Sequence, residues 1–251
     1  MSSQRTYSLA ELTYEEAQVL LTKGAIALLP TGATEAHGPH LPLSTDVVIS
    51  VEGARRAARL LEAEGKTALV LPPIAYAVTE FAASFSGTVS LPIETARALL
   101  RDVILGAVRT GFRGVVVCNA HLEPGNLQAI REAVDEAGQR GARAAFPDVT
   151  RKPHALRLGE EFKSGACHAG SYETSLVLAA DPFLVRSELA DELAPNPTSL
   201  SVAIRAGKKS FVEAGGERAY FGDPRAASPM EGESLYAELA DIFATAARDL
   251  Y

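Results

Sequence analysis

Two short segments of this chain pair a carboxylate with an imidazole at a spacing of two residues: Glu35-Ala-His37 and His121-Leu-Glu123. Alternate side chains of an extended backbone project to the same side, so both members of each pair can reach one point. Asp46 closes the first segment, which reads Pro30-Thr-Gly-Ala-Thr-Glu35-Ala-His37-Gly-Pro-His40-Leu-Pro-Leu-Ser-Thr-Asp46. Imidazoles and carboxylates without a thiolate suit Zn²⁺ or Mn²⁺. Five candidate ligands, Glu35, His37, Asp46, His121 and Glu123, exceed the roughly three that one catalytic zinc takes from protein, so two ions sharing a carboxylate is the better count. Such a pair lowers the pKa of a bound water from about 15.7 to about 7 and supplies a nucleophile at neutral pH. Taken singly, a His-x-Glu after a strand also suits a helix cap, and a loop rich in Gly and Pro also arises as a plain turn. Two pairs and Asp46 at one end of a sheet point to a metal cluster.

The elements that must position these residues follow from local pattern. Thr13 and Glu16 form a capping box that opens a helix from Tyr14 to Lys23, stopped by Gly24. Ala25 to Leu29 is a continuous apolar run ended by Pro30, the pattern of a strand buried on both faces. A long loop from Thr31 to Thr45 carries the first pair. The alternation continues with a helix from Asp46 to Glu64, a strand from Ala68 to Leu71 and a helix from Glu94 to Thr110. A strand from Gly114 to Asn119, a helix from Leu127 to Ala137 and a strand from Ala142 to Phe146 follow. Strands alternating with helices of this length imply right-handed crossovers and a mostly parallel sheet, with ligands bound beyond the carboxyl ends of the strands. Further on, Ser171 to Ala180 reads as helix, Pro182 to Lys209 has no clear period, and Ser228, Pro229 and Glu231 start a last helix reaching Leu250. One α/β domain spanning 1–251 is the expectation.

Composition bounds the function. With 251 residues, 47% of them hydrophobic, the chain can bury a full core. A formal charge of −7 argues against nucleic-acid or anionic-membrane partners. No leader-like or membrane-spanning apolar run occurs, so a cytoplasmic protein is expected. Cys118 and Cys167 are too few for a disulfide framework.

The stretch Pro30 to Asp46 resembles the signature of the creatininase (creatinine amidohydrolase) family. The resemblance continues through Phe85-Ser-Gly-Thr, Asn119-Ala-His121, His168-Ala-Gly-Ser-Tyr-Glu173-Thr-Ser175 and Gly222-Asp-Pro224. It implies a three-layer α/β/α sandwich, two divalent ions (Zn and/or Mn) and a homo-oligomer, with a hexamer favoured. It implies that Glu35, Asp46 and His121 hold one ion and His37, Asp46 and Glu123 the other, with Asp46 bridging. His168 would act near the leaving nitrogen, Glu123 would join it in catalysis, and Glu173 would orient ligands.

The departures bear on the substrate. The chain contains no Trp, Leu122 stands where creatininase has a tyrosine, and Cys167 stands where it has a glutamate. These differences point away from creatinine. Glu80, in the loop after the second strand, is a candidate partner for a cationic or amide N–H group, with Leu122 and Cys167 as wall residues. His40 is expected to make a structural hydrogen bond, and Arg225 to meet either a substrate anion or a surface carboxylate. The function expected is metal-dependent hydrolysis of a C–N bond in a small cyclic amide. Peptide trimming of a cofactor precursor, pyrimidine-nucleotide deformylation and a metal-stabilised binding protein are the alternatives.

Overall fold

The computed structural model describes residues 7–251. Four parallel strands, β1 (Ile26–Thr31), β2 (Ala68–Val70), β3 (Gly114–Asn119) and β4 (Ala144–Ala145), lie side by side in the order β2-β1-β3-β4. Helices cover both faces: α1 (Tyr14–Leu21), α2 (Thr45–Ala63), α3 (Ile93–Arg109), α4 (Pro124–Gln139), α5 (Gly159–Ser164), α6 (Ser171–Ala180), α7 (Ser187–Asp191), α8 (Leu200–Arg205) and α9 (Pro229–Arg248).

The two-residue period of the strands sorts their side chains into two cores. Ile26, Leu28, Val116 and Cys118 point to one face and pack under α2, α6 and α9. Ala27, Leu29, Val115 and Val117 point to the other and pack under α3 and α4. Every residue of β1 and β3 is buried, which is why these strands read as unbroken apolar runs.

The first strand outruns its expected end. β1 passes through Pro30 to Thr31 and pairs Pro30 with Cys118 of β3. The backbone of residue 30 faces the β2 side, where its carbonyl accepts from Ile74 N at 3.0 Å, and β2 has already stopped at Val70. A missing N–H therefore costs no ladder bond there. β4 is shorter than expected, two residues instead of five, and forms the sheet edge. The region without clear period resolves into α7 and α8 joined by irregular chain. The Thr13–Glu16 capping box is formed with both of its bonds. Among the described residues, no helix is long and apolar enough to cross a membrane.

Candidate metal centre

Four loops meet beyond the carboxyl ends of β1, β2 and β3. Glu35 and His37 lie on the loop after β1, and Asp46 lies in the first turn of α2. His121 follows β3, and His168 and Glu173 come from the turn into α6 and its first turn. All six are buried. His37 Nε2 lies 3.2 Å from Asp46 Oδ1, 3.5 Å from Glu173 Oε2 and 3.7 Å from Glu35 Oε1. His121 Nδ1 lies 3.1 Å from Asp46 Oδ2 and 3.3 Å from Glu35 Oε1. His168 Nδ1 is 3.9 Å from Glu35 Oε1.

The other nitrogen of each ring meets a backbone carbonyl: His37 Nδ1 with Glu35 O at 3.2 Å, His121 Nε2 with Val78 O at 2.8 Å, and His168 Nε2 with Ala36 O at 3.0 Å. A carbonyl only accepts, so these nitrogens each carry a proton, and the opposite nitrogen of each ring is the one turned into the cluster, free to offer its lone pair to a cation there. His37 Nε2 has no hydrogen-bond partner although it is fully buried. Lone pairs facing carboxylate oxygens in the interior call for a cation between them. Among the described residues, three groups can offer one: Glu35, Asp46 and His121; His37, Asp46 and Glu173; and Glu35, His37 and His168.

Protons show the same demand. Burial opposes a charged imidazole at His37, yet Asp46, Glu173 and Glu35 outweigh it and push His37 up to about 10. His121 is raised in the same way, against burial, by Glu35 and Asp46. Burial lifts Glu173 to about 8 despite the neighbouring His37. Burial, with His37 stacked at 4.4 Å between ring centroids, lowers His168 to about 4.

The chain around the cluster is shaped to hold it. Gly32 is required by contact: a Cβ there would sit 2.6 Å from the Cβ of Asp46. Ala33 N donates to Asp46 Oδ2 at 3.0 Å and the Thr79 hydroxyl donates to Glu35, fixing both carboxylates. Asn119 Nδ2 and Asn126 Nδ2 donate to His121 O at 2.7 and 3.0 Å, and Asn119 Oδ1 accepts from Thr31 at 3.0 Å, so β1 and α4 together pin the His121 loop. Ala169 holds the left-handed conformation at φ 51°, which aims its N–H at Glu173 Oε2 2.6 Å away. Substituting Gly32→Ala should displace Asp46, destabilise the fold by about 1–3 kcal/mol as overpacking does, and reduce bound metal. A thermal melt with and without Zn²⁺ checks this, since an unchanged metal-induced shift would contradict it.

The family model described as creatininase, creatinine amidohydrolase, matches residues 10–247. The chain belongs to the creatininase family. It is 33% identical over 244 residues to the mycofactocin precursor peptide peptidase of Mycobacterium ulcerans (strain Agy99), covering 95% of this chain and 90% of that one. It is 30% identical over 198 residues to the creatinine amidohydrolase of Pseudomonas putida, covering 70% of this chain and 72% of that one. A solved structure named "Creatininase Mn" superposes with a TM-score of 0.75 at 23% identity over 98% of both chains, which places the fold. Family membership makes this creatininase-family chain a hydrolase.

Not every expected site residue joins the creatininase-family cluster. The Glu123 carboxylate accepts from the backbone N–H groups of Glu80 and Phe81 at 3.0 and 3.1 Å, and none of the three candidate metal groups includes it. Glu173 lies 3.5 Å from His37 and joins His37 and Asp46 in one of those groups. Burial pushes Glu123 above its ordinary range, and it faces a cavity of about 680 Å³ whose floor is the cluster. The Glu80 carboxylate instead accepts from Ser90 at 2.5 Å, is exposed, and is absent from the cavity wall. Leu122 and Cys167 both line the cavity. Burial, with Glu173 and Glu161 nearby, pushes the Cys167 thiol well up, so it is no thiolate nucleophile. His40 Nε2 meets Thr174 Oγ1 at 2.9 Å, and Arg225 pairs with Asp223 at 3.2 Å.

Glu161 escaped sequence reading. Its two oxygens accept from Tyr172 N and Asp223 N, each at 2.9 Å, and tie the first turn of α6, which carries Glu173, to the chain at Asp223. A Cβ at Gly170 would strike the same carboxylate. The pairing of a helix glutamate with two amides distant in sequence leaves no local signature.

Proposed function

We propose that this protein is a dinuclear metal-dependent amidohydrolase that cleaves an amide C–N bond within a peptide segment. The observation that carries the reading is the geometry of Asp46, whose two oxygens each face a different imidazole, His37 at 3.2 Å and His121 at 3.1 Å. A carboxylate so placed can belong to two ligand groups at once. Glu35 and His121 complete one, and His37 and Glu173 complete the other. Three protein ligands on each side leave positions open for water and substrate, and the nitrogen and oxygen donors suit Zn or Mn. When bound, a pair of such ions supplies an acidified water and polarises the amide carbonyl.

The chain's own groups then handle substrate and protons. Glu123, anchored by two backbone donors, faces the floor and accepts a hydrogen bond from the attacking water. His168, held between His37 and Phe211 with ring centroids 4.4 and 4.2 Å away, has its bare Nδ1 toward the cluster. That nitrogen takes the proton released by the water and returns it to the leaving nitrogen, so the site is restored each turnover. Leu122, Phe81 and Phe211 give the cavity apolar walls that exclude competing water.

Cavity size supports a peptide: about 680 Å³ matches the sites of drug-sized ligands, whereas a single small ring would fill little of it. The peptide-trimming relative supports the same reading. The His121-Leu122-Glu123 form of the third segment and the Pseudomonas relative favour a second reading, a small cyclic amide. Metal-loaded protein should release new amino termini from short peptides, lose this on chelation, and regain it with Zn²⁺ or Mn²⁺. Peptides should exceed cyclic amides at least tenfold in kcat/KM. Turnover of neither class would overturn the proposal. A homo-oligomer, hexameric by the family resemblance, is part of the same reading, and the exposed apolar side chains Phe183 and Met230, 96% and 82% exposed, support it. Light scattering measures that mass.

A further inference from the structure

The charges around the cavity are segregated. Its acidic lining residues, Glu35, Asp46, Glu123 and Glu173, are the floor groups already assigned to histidines and backbone amides. Among the described residues, every other charged side chain on the wall is a cation: Arg151, Lys152, Lys163 and Arg205. They come from three separate segments, the chain after β4, α5 and the last turn of α8. All four are exposed at the mouth. In a chain with 31 acidic and 24 basic residues, a mouth lined by one sign is not the average surface.

These cations are poorly neutralised. Among the described residues, Lys152 and Arg205 have no carboxylate within ion-pair distance, and Arg151 reaches only Asp148 at 3.6 Å with its side chain 69% exposed. Asp148 is already held by Arg131 at 2.8 Å and by Thr150. Lys163 pairs with Glu160, whose side chain is 91% exposed. Cations focused at the mouth of a low-dielectric cleft raise the local concentration of an anion and orient it on entry.

We infer that the substrate carries a carboxylate that docks on the Arg151, Lys152, Lys163 and Arg205 mouth while the scissile amide lies over the metal cluster. This deepens the peptide-amidohydrolase reading and rests on it. Two sources offer the same chemistry, the free carboxyl terminus of the peptide and an acidic side chain within it. The mouth selects charge, and Phe81, Phe162 and Phe211 on the walls accept apolar neighbours.

The test is fluorescence anisotropy with amino-terminally labelled tetrapeptides on the metal-loaded protein, with turnover followed in the same samples. Three probes are needed: Ala-Ala-Phe-Ala with a free carboxyl terminus, the same peptide as its amide, and Ala-Ala-Asp-Ala as its amide. At least one carboxylate probe should bind more tightly than the neutral amide. That preference should shrink roughly fivefold to tenfold in the Lys152→Gln, Arg205→Gln double variant, as two exposed ion pairs allow, and fade in 0.5 M salt. The control Lys208→Gln, Lys209→Gln makes the same charge change outside the wall and should keep the preference. Which carboxylate probe wins identifies the source. Equal binding of all three probes, or equal losses in both double variants, overturns the anion site. Preferential binding without any cleavage keeps the anion site and sinks peptide hydrolysis.

Discussion

Replacing Asp46 by Asn should remove both metal ions and reduce amide hydrolysis by about a thousandfold or more, a loss of at least about 4 kcal/mol in transition-state stabilisation. Asn keeps an acceptor for the Ala33 amide, so the loop after β1 retains its anchor. It loses the negative charge that Oδ1 and Oδ2 present to His37 and His121. Single-site changes should behave differently. Glu35→Gln and Glu173→Gln each belong to one proposed ion and should leave about one metal per chain, whereas Glu123→Gln should keep about two while losing activity. Plasma mass spectrometry on protein purified without chelator gives these counts directly. An Asp46→Asn protein with full metal content would refute the shared carboxylate, and a Glu123→Gln protein with one metal would return that residue to the ligand set.

The second large effect is at His168. His168→Asn should lower kcat by about 10²–10⁴, the range that positioned proton transfer supplies, while metal content stays near two. The ring makes no contact with Asp46 within ion-pair distance, and its 3.9 Å approach to Glu35 is the longest of the imidazole–carboxylate contacts in the cluster. A fall in metal content that tracks the fall in rate would make His168 a ligand, as the Glu35, His37 and His168 group permits. Intact metal and an unchanged kcat would remove it from the chemistry altogether.

Much of the frame was legible because it rests on local rules. Unbroken apolar runs marked β1 and β3, the Thr13–Glu16 box marked α1, and the alternation of strand and helix implied the parallel sheet. The loop chemistry was visible where backbone spacing alone decides it: Glu35 and His37 are two residues apart and their side chains do meet. For His121 and Glu123 the spacing leaves out a second set of partners. The chain turns into α4 at Pro124, and the Glu123 carboxylate is captured by amides 42 and 43 positions earlier. The resemblance gives Glu173 an orienting role, while its 3.5 Å approach to His37 depends on how α6 docks against α2, a packing no short motif encodes. β4 came out short because an edge strand pairs on one side only, and nothing in its sequence sets where that pairing stops.

The cavity divides cleanly by sequence. Its floor is written in residues 35–123, 167–173 and 211, and its mouth in residues 150–165 and 200–205. Recognition and reactivity are thus separately inheritable: a lineage can exchange the second set of segments for new tastes without relearning the first. Grafting the mouth of a relative onto this floor should change what is cleaved and leave the metal stoichiometry alone.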